Sequence, residues 1–297
     1  MTRMRHRLQI SRDDSQYPVL LKEIHDPPSL LWVEGDGSLL SQSRCLAVVG
    51  ARVCTPYGEK IAFDLSRELA QVGVTIVSGL AHGIDTAAHQ GALAGGGKTI
   101  AVLGHGIHCR VSNEKKNLWE KIIKNGAIIS EFEPTFPGSQ WTYPQRNRII
   151  SGLSYGVVVV EAGLRSGSLI TAHLALQQGR EVFAVPGSIT SPLSVGTHHL
   201  IQNGAKLVTG IKDILDELKF SGLSSPIQRS FFENAEISQD SEDESKILKL
   251  LGAGPRQMDE LLDSSGCSVE KMSCVLLEME MNGKIESLAG NRFALKI

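Results

Sequence analysis

Short aliphatic and β-branched runs alternate with helical patterns between residues 44 and 218. Most of these runs are apolar throughout, which is typical of parallel strands covered on both faces. The segments between them show helical spacing that ends at glycine, as in Ile61, Leu65, Leu69 and Gly73. The pattern predicts strands at Leu46–Val49, Thr75–Val77, Thr99–Leu103, Ala127–Ser130, Val157–Val160, Glu181–Val185 and Lys206–Val208.

Strand–helix alternation of this length predicts an α/β fold with an extended, Rossmann-like, doubly wound and mostly parallel sheet. We assign this sheet to residues 44–218 and interpret residues 1–43 as an N-terminal lead-in. Residues 219–244 contain six acidic and two basic side chains and predict a flexible acidic linker. Residues 245–297 show three helical patterns and then a hairpin, which indicates a small C-terminal winged-helix domain.

Composition excludes several classes of protein. Hydrophobic residues make up 41% of the 297 residues and charged residues 21%, which is typical of a globular chain. No apolar run is long enough to span a membrane, and none follows the basic first residues, so we expect a cytoplasmic protein. Five cysteines without a C-x-x-C pair predict reduced thiols. Because the net charge is −2, any anion-binding surface must be a local cluster.

Glycine, serine and arginine follow several predicted strands, at the edge where open α/β sheets bind their ligands. Glycine lets backbone amides approach a ligand, and a helix N-terminus offers N–H groups to phosphate. Two of these loops also contain arginine. The sequence therefore predicts an anion or phosphate site, with the candidate residues Gly50, Arg52, Ser78, Gly79, Arg165, Ser166, Gly167, Ser168, Gly187 and Ser188.

One further segment combines an aromatic ring, two guanidinium groups and an amide within six residues. It contains Tyr143, Arg146, Asn147 and Arg148. A nucleobase can stack on the ring while arginine pairs with a neighbouring phosphate. On these residues alone, a helix start with a solvated arginine pair is an equally good interpretation.

Other chemistries find little support. The run Gly95–Thr99 lacks the first glycine of a P-loop and leads into a strand, and no G-x-G-x-x-G motif opens the sheet, so no nucleotide cofactor is predicted. His82, Asp85 and His89 have helical spacing, but no further ligand lies nearby, so packing is a better interpretation than a metal site. Neither a G-x-S-x-G elbow nor a base beside Cys54 is identifiable, so no catalytic residue is predicted.

Five segments together resemble a known family. They are Val49–Arg52, Ser78–His89, Tyr143–Ser154, Glu161–Thr171 and Val182–Ser188. In this order they resemble the motifs of the DprA/Smf family of bacterial DNA-processing proteins, over roughly residues 17–218. The C-terminal unit is similar to the winged-helix domain of that family.

The resemblance implies a homodimer that binds single-stranded DNA, displaces single-strand-binding protein and loads the RecA recombinase during natural transformation and recombination. It implies that Arg52 holds phosphate, that Tyr143 stacks on a base, and that Arg146 and Arg148 support the groove. It also implies that Ser166–Ser168 presents amides and hydroxyls to the strand. No enzyme activity, cofactor or membrane association is implied.

The sequence departs from the family pattern at three places. Gly163 stands where a basic residue is usual, which predicts a weaker groove. His108 and 110–112 replace the usual Asp and Tyr-Pro after the third predicted strand, and His198 replaces the usual Asn. We expect DNA affinity and RecA contact to differ from the family pattern accordingly.

Two other functions are alternatives to single-strand binding by the large domain. A nucleotide-processing enzyme of the phosphoribohydrolase type has a similar fold, but its catalytic Glu has no counterpart in 165–180, and Glu161 is the only local substitute. Alternatively, the winged helix is the main DNA reader. Its predicted recognition helix, Val269–Asn282, is more acidic than basic, which argues against binding to duplex.

Overall fold

A computed structural model describes residues 7–42, 44–109, 112–219, 247–252, 254–265, 268–281, 284–288 and 292–295. The chain divides into a large unit up to Ser225 and a small unit from Pro226 onwards. The predicted acidic linker, apart from Lys219, and the predicted turn at 289–291 lie outside the described residues.

The large unit alternates strands and helices along its length. Its strands are β1 (Arg7–Ser11), β2 (Leu30–Gly35), β3 (Cys45–Val49), β4 (Thr75–Ser78), β5 (Thr99–Val102), β6 (Ala127–Ser130), β7 (Gly156–Val159), β8 (Glu181–Ala184) and β9 (Lys206–Leu207). Its helices are α1 (Val19–Lys22), α2 (Leu39–Gln42), α3 (Pro56–Gln71), α4 (Ile84–Ala94), α5 (Asn113–Asn125), α6 (Thr142–Gly152), α7 (Gly167–Gln177), α8 (Val195–Gln202) and α9 (Ile211–Leu218).

The nine strands form one sheet in the order β1-β2-β6-β5-β4-β3-β7-β8-β9. All neighbouring strands from β6 to β9 in this order are parallel. The seven predicted strands are therefore confirmed as a parallel sheet, each within one residue of its expected ends. The predicted doubly wound α/β fold is likewise confirmed.

Residues 7–42 of the predicted lead-in belong to this sheet instead of preceding it. β2 pairs antiparallel with β6, and β1 pairs antiparallel with β2. Leu31 and Val33 of β2 are buried, as is Leu21 of α1. The Tyr17 hydroxyl donates a hydrogen bond to the Pro28 carbonyl at 2.7 Å, which closes the connection between the two strands. Residues 7–42 thus complete the sheet at one edge.

Alternate residues of the strands pack on opposite faces of the sheet. Ala47 and Val49 of β3 pack in a core with α6 and α7. Leu46 and Val48 of the same strand pack in a second core, with α3, α4 and α9. Helix α5 covers the sheet next to β5 and β6 through Leu118, Trp119 and Ile122. Because both faces are covered, the strands are apolar throughout.

The small unit has its own core. Residues 247–251 are helical, followed by β10 (Arg256–Gln257), α10 (Met258–Ser265), α11 (Val269–Met281), β11 (Ile285–Leu288) and β12 (Arg292–Leu295). The strands form a sheet in the order β10-β12-β11, and the core includes Leu261, Met272 and Leu276. The predicted order of three helices and a hairpin is confirmed for the described residues. In the part of the chain that is described, no helix has both the length and the hydropathy to cross a membrane.

Candidate nucleic-acid interface

A cavity of about 620 Å³ opens at the carboxyl ends of the strands. It lies where the helices after β3 and β7 leave to opposite faces of the sheet, which is the point at which ligands bind in open α/β sheets. We call it the main cavity. It is lined by Val49, Gly50, Ala51, Arg52, Ala81, Asp85, Gln140, Tyr143, Pro144, Arg146, Asn147, Ile150, Gly163, Arg165, Ser166, Gly167, Ser168, Thr171 and Leu193.

Arg52 and Tyr143 form one wall of the main cavity. The Arg52 guanidinium carbon lies over the Tyr143 ring, 5.7 Å from its centroid, in a cation–π contact. The ring also packs closely on Gly104, where a Cβ atom would lie 2.6 Å from a ring carbon. The Thr142 hydroxyl donates a hydrogen bond to the Gly104 carbonyl at 2.7 Å, which fixes the start of α6 against the loop after β5. An exposed cation is therefore held beside an aromatic ring.

Arg146 lies beneath this wall and is buried. Its Nη1 atom donates hydrogen bonds to the carbonyl oxygens of Gly79, at 2.8 Å, and Val102. Any side chain at position 79 would collide with the guanidinium, which explains the glycine there. Burial lowers the pKa of Arg146 to about 10, although the nearby Asp85 carboxylate acts in the opposite direction.

Asp85 organises the loop after β4. Its carboxylate accepts hydrogen bonds from the backbone N–H groups of Gly79 at 3.1 Å and Ala81 at 3.2 Å. Burial raises the pKa of Asp85, while the charge of Arg146 and these hydrogen bonds lower it. The buried Asp85 carboxylate and the buried Arg146 guanidinium thus form a polar floor of the cavity, in which the negative and the positive charge stabilise each other.

The N-terminus of α7 also lines the main cavity. The Ser166 hydroxyl caps the helix by accepting a hydrogen bond from the Ser168 N–H at 3.4 Å. The two serine hydroxyls are also 2.7 Å apart and hydrogen-bonded. Arg165 is exposed just before the helix, and Gly167 leaves the backbone uncovered. The exposed cations and the helix N-terminus give this cavity the features of an anion site.

Comparison with known proteins decides the family. A family model described as DNA recombination-mediator protein A matches residues 9–219, and a model of the DprA winged helix domain matches residues 233–291. The chain belongs to the DprA/Smf family. It is therefore related to proteins of DNA processing and recombination, and the resemblance expected from the motifs is confirmed.

The similarity extends over most of the chain. The chain is 42% identical to protein Smf of Escherichia coli over 294 residues, which cover 97% of this chain and 77% of that protein. The X-ray structure of DNA processing protein A from Streptococcus pneumoniae matches with a TM-score of 0.68 at 48% identity, covering 71% of this chain and 74% of that one. A structure of the Helicobacter pylori protein, described for its unique single-stranded DNA binding mode, matches with a TM-score of 0.65 at 30% identity, covering 73% and 97% of the two chains.

Nine of the fourteen residues that the sequence predicted for the site line the main cavity of this DprA/Smf family member. Gly79 lines an adjacent, smaller cavity. Ser78, Arg148, Gly187 and Ser188 line neither of the two cavities, and the structure gives them other contacts. The nine are Gly50, Arg52, Tyr143, Arg146, Asn147, Arg165, Ser166, Gly167 and Ser168.

Arg148 is held by two carboxylates. Its Nη1 and Nη2 atoms each donate to a different oxygen of Glu131 at 2.6 Å, and its Nε atom donates to Asp26 at 3.1 Å. This arrangement ties α6 to the end of β6 and to the N-terminal segment. Arg148 can therefore support the groove only indirectly, by holding α6 in position.

The other three residues have local contacts. The Ser78 hydroxyl donates to the Val48 carbonyl at 2.7 Å and joins β4 to β3. The Gly187 backbone lies against the His198 ring, whose Nε2 atom is 3.1 Å from the Gly187 carbonyl oxygen. The Ser188 and Thr190 hydroxyls are hydrogen-bonded at 2.8 Å. His198 thus stabilises the loop after β8.

The sequence did not identify Asp85, Gln140, Thr171 and Leu193 as parts of the cavity. Asp85 was interpreted only as a capping or packing residue. A usable signal was its place two residues after Gly83, where its carboxylate can turn back to the amides of the preceding glycine-rich loop. Gln140, Thr171 and Leu193 have no such signal.

Glu161 does not line the main cavity. The residue is 3% exposed, and its carboxylate accepts hydrogen bonds from the Thr55 N–H at 2.9 Å and the Thr55 hydroxyl at 2.6 Å, at the start of α3. Among the described residues that line the main cavity, Asp85 supplies the only carboxylate. The geometry therefore gives no support to Glu161 as the agent of a phosphoribohydrolase reaction.

The three residues with helical spacing do not converge. His82 is exposed, whereas His89 is buried with its Nδ1 atom 2.7 Å from the Thr99 hydroxyl oxygen. Asp85 is engaged by backbone amides, as described above. Over the described ranges, no cluster of three or more His, Cys, Asp or Glu side chains is arranged to hold a metal ion.

Proposed function

We propose that this DprA/Smf family member binds single-stranded DNA in the main cavity. The observation that supports the proposal is the convergence of Arg52, Arg165 and the α7 N-terminus on one cavity, beside the Tyr143 ring. Guanidinium and backbone N–H groups bind phosphate oxygens, and an aromatic ring stacks on any base. Such a site distinguishes single strands from duplex, because it needs bases that are accessible for stacking, and it does not distinguish one sequence from another.

The arrangement suggests how the strand lies. Phosphates pair with Arg52 and Arg165 and accept hydrogen bonds from the first N–H groups of α7. The Tyr143 ring, which is partly exposed beside the Arg52 guanidinium, stacks on a base. Arg146 and Asp85 keep the loop after β4 in place beneath the strand.

Family membership supports the finer part of the proposal. We propose that the protein acts as a cytoplasmic homodimer that displaces single-strand-binding protein and loads the RecA recombinase onto the strand. In this role the main cavity holds the DNA, and catalysis by the chain itself is not required. Both the dimer and the RecA contact stay predictions that need their own measurements.

Binding to fluorescent oligo-dT and to a matched duplex across a salt series tests the DNA-binding proposal. We expect the protein to prefer the single strand, with a logarithmic salt slope of about −0.7 for each phosphate that is neutralised. We expect Arg52→Glu to weaken binding more than about tenfold, or about 1.4 kcal/mol. Arg12→Glu makes the same charge change at an exposed residue outside the cavity and is the control. If a folded Arg52→Glu protein binds oligo-dT with unchanged affinity, the main cavity is not the DNA-binding site.

RecA loading is tested with strands already coated by single-strand-binding protein. We expect the protein to shorten the lag before RecA-dependent ATP hydrolysis begins, and Arg52→Glu to lose this effect. If the Arg52→Glu variant shortens the lag as much as the unmodified protein does, RecA loading does not depend on the main cavity.

A further inference from the structure

Three aliphatic side chains project into solvent from the carboxyl edge of the sheet, and none of them lines the main cavity. They are Val53 after β3, Leu164 after β7 and Ile189 after β8, with exposed fractions of 84%, 67% and 88%. Among the described large apolar residues they are three of the four most exposed, and the fourth is Val19 of α1. Single exposed apolar residues are common, whereas a group of them at one place indicates an interaction surface.

The three loops that carry these side chains lie together. Their strands are neighbours in the sheet, because β7 pairs with β3 on one side and with β8 on the other. The three strand ends therefore span about 10 Å. The Ala51 N–H donates to the Glu161 carbonyl at 2.8 Å, and the Ala162 N–H donates to the Leu193 carbonyl at 2.7 Å. These bonds join the loops into one surface, which we call the edge surface and which consists of residues 50–55, 161–166 and 185–194.

The edge surface is cationic where it is exposed. Arg52 and Arg165 are exposed, and each is the direct neighbour along the chain of one of the aliphatic residues. All residues of the edge surface are described, and its only carboxylate belongs to Glu161, which is buried. In α3, which follows, the exposed Glu59 and Lys60 carry opposite charges and leave the positive balance unchanged. Exposed aliphatic side chains are thus combined with positive charge.

This combination matches the surface of an anionic membrane. Basic side chains near a leaflet of anionic lipids are attracted to the lipid phosphates. Aliphatic side chains beside them enter the boundary between headgroups and acyl chains, as the apolar face of an interfacial helix does. Positive charge and aliphatic tips on the same loops supply both contributions.

Other occupants match the edge surface less well. If two copies of the chain paired through this surface about a two-fold axis, the exposed arginines of both copies would meet, and like charges repel. Aromatic anchors are enriched in protein interfaces, and bases stack on aromatic rings, whereas the exposed tips of these loops are aliphatic. A lipid surface is therefore the occupant that the chemistry favours.

We propose that the edge surface binds reversibly to anionic phospholipids, with its two exposed arginines on lipid phosphates and its three aliphatic side chains inserted between the headgroups. Three short side chains give a peripheral and reversible attachment, much weaker than that of a membrane-spanning helix. Because Arg52 and Arg165 also line the main cavity, a bound DNA strand and a membrane compete for them. The membrane contact itself does not depend on the proposed function, whereas this competition does.

Co-sedimentation of the full chain with lipid vesicles tests the proposal. The vesicles consist of phosphatidylcholine alone or of a mixture of phosphatidylcholine and phosphatidylglycerol, whose headgroup is anionic. The test variants Val53→Ser and Ile189→Ser each remove one aliphatic side chain without a change in charge. Val19→Ser is the matched control, since Val19 is 69% exposed but lies in α1, outside the edge surface. Thermal unfolding confirms that each variant is folded.

We expect the protein to bind the anionic vesicles at low salt and to bind phosphatidylcholine vesicles far more weakly. Binding weakens as the salt concentration rises, because salt screens the arginine charges. Val53→Ser and Ile189→Ser each weaken vesicle binding about tenfold, whereas Val19→Ser matches the unmodified protein. Arg52→Glu weakens vesicle binding at least about fivefold. Both serine variants of the edge surface keep their affinity for oligo-dT, because neither residue lines the main cavity.

Three results would overturn the proposal. The first is a protein that binds no anionic vesicles at low salt. The second is vesicle binding that Val53→Ser and Ile189→Ser retain as fully as Val19→Ser does, which leaves only a general attraction of charge. The third is unchanged vesicle binding by Arg52→Glu, which means that the arginines of the edge surface do not contact lipid.

Competition with oligo-dT separates this inference from the proposed function. If both hold, saturating oligo-dT releases the unmodified protein from the anionic vesicles. If vesicle binding depends on Val53, Ile189 and Arg52 but oligo-dT does not release the protein, the membrane contact stands and the strand lies outside the main cavity. If oligo-dT binding depends on Arg52 but vesicle binding is absent, the proposed function stands and the membrane contact is wrong.

Discussion

At the scale of single residues, Gly163 offers a direct way to strengthen the proposed groove. It lines the main cavity, and a Cβ atom there would meet only the Pro192 carbonyl oxygen, at an ordinary 3.6 Å. We therefore expect Gly163→Lys to be tolerated and to tighten binding to oligo-dT severalfold. One additional phosphate contact also steepens the logarithmic salt slope by about 0.7.

Gly210→Lys is the matched control for this substitution. It adds the same charge at a site where a Cβ atom has no neighbour within 4 Å, at the start of α9 and outside both cavities. If the two variants tighten binding equally, the gain comes from net charge alone. In that case Gly163 does not face the bound strand.

The two arginines of α6 illustrate how far residue roles can be predicted from a motif. Both were predicted to support the groove, but residues two apart on a helix point in nearly opposite directions, so Arg146 and Arg148 do not share one surface. The motif could not say which of them faces the ligand. The partners of Arg148 are Glu131 and Asp26, 17 and 122 residues away along the chain, and only the folded chain brings them to it.

At the scale of elements, Glu161 joins the end of β7 to the start of α3. Its carboxylate accepts both the N–H and the hydroxyl of Thr55, the residue that caps α3. We expect Glu161→Gln to lower the free energy of unfolding by about 1–2 kcal/mol, because a buried charge-assisted hydrogen bond and a favourable charge at a helix N-terminus are lost. Urea denaturation measures this change.

Glu59→Gln removes an exposed carboxylate from the first turn of the same helix, and we expect a much smaller change in stability. Affinity for oligo-dT should change less than about threefold in either variant, since neither residue lines the cavity. A Glu161→Gln protein of unchanged stability would show that the carboxylate is not a structural clamp.

The contact between α4 and β5 makes the fold sensitive to acid. The Thr99 hydroxyl donates to the Ile76 carbonyl, so it accepts from His89 Nδ1, and His89 is neutral with its proton on Nδ1. Burial lowers the pKa of His89 from 6.5 to about 3, with a further contribution from the charge of Arg146. The unfolded chain therefore binds a proton below about pH 6.5 that the folded chain does not bind until about pH 3.

The contribution of neutral His89 to the free energy of unfolding is fully present above about pH 6.5 and is lost progressively as the pH falls towards 3. Between pH 7 and pH 5 the loss amounts to roughly 2 kcal/mol. His89→Asn removes the titrating group, so the difference in unfolding free energy between these two pH values should shrink by this amount in urea titrations. An unchanged pH dependence would mean that His89 is protonated as easily in the fold as outside it.

The parallel strands could be predicted from the sequence because burial on both faces leaves a continuous apolar run. The two antiparallel strands could not. β2 includes a buried charged residue, Glu34, β1 pairs with it at the sheet edge, and the prolines at 27 and 28 lie between them. The helices that follow these two strands, α1 and α2, have only four residues each, and the place of the strands is decided by the pairing of β2 with β6. This pairing is a long-range contact that no local pattern records.

At the scale of the whole molecule, the two units have separate cores. The core of the small unit consists of residues from Ile247 onwards, and both cavities are lined only by residues of the large unit. This division predicts that DNA binding and any role of the winged-helix unit can be separated. The described part of α11 gives no basic surface to match the main cavity: Lys271 is accompanied by Glu280.

We therefore expect a chain truncated after Leu218 to bind oligo-dT with an affinity within about threefold of the full chain and with the same salt slope. An unchanged slope is the stricter criterion, because it counts phosphate contacts independently of the fraction of active protein. A truncated protein that folds, as shown by a cooperative thermal transition, but has lost strand binding would place essential DNA contacts in the C-terminal unit. A reduced slope with residual binding would assign part of the phosphate contacts to that unit, and the main cavity would then hold only a portion of the bound strand.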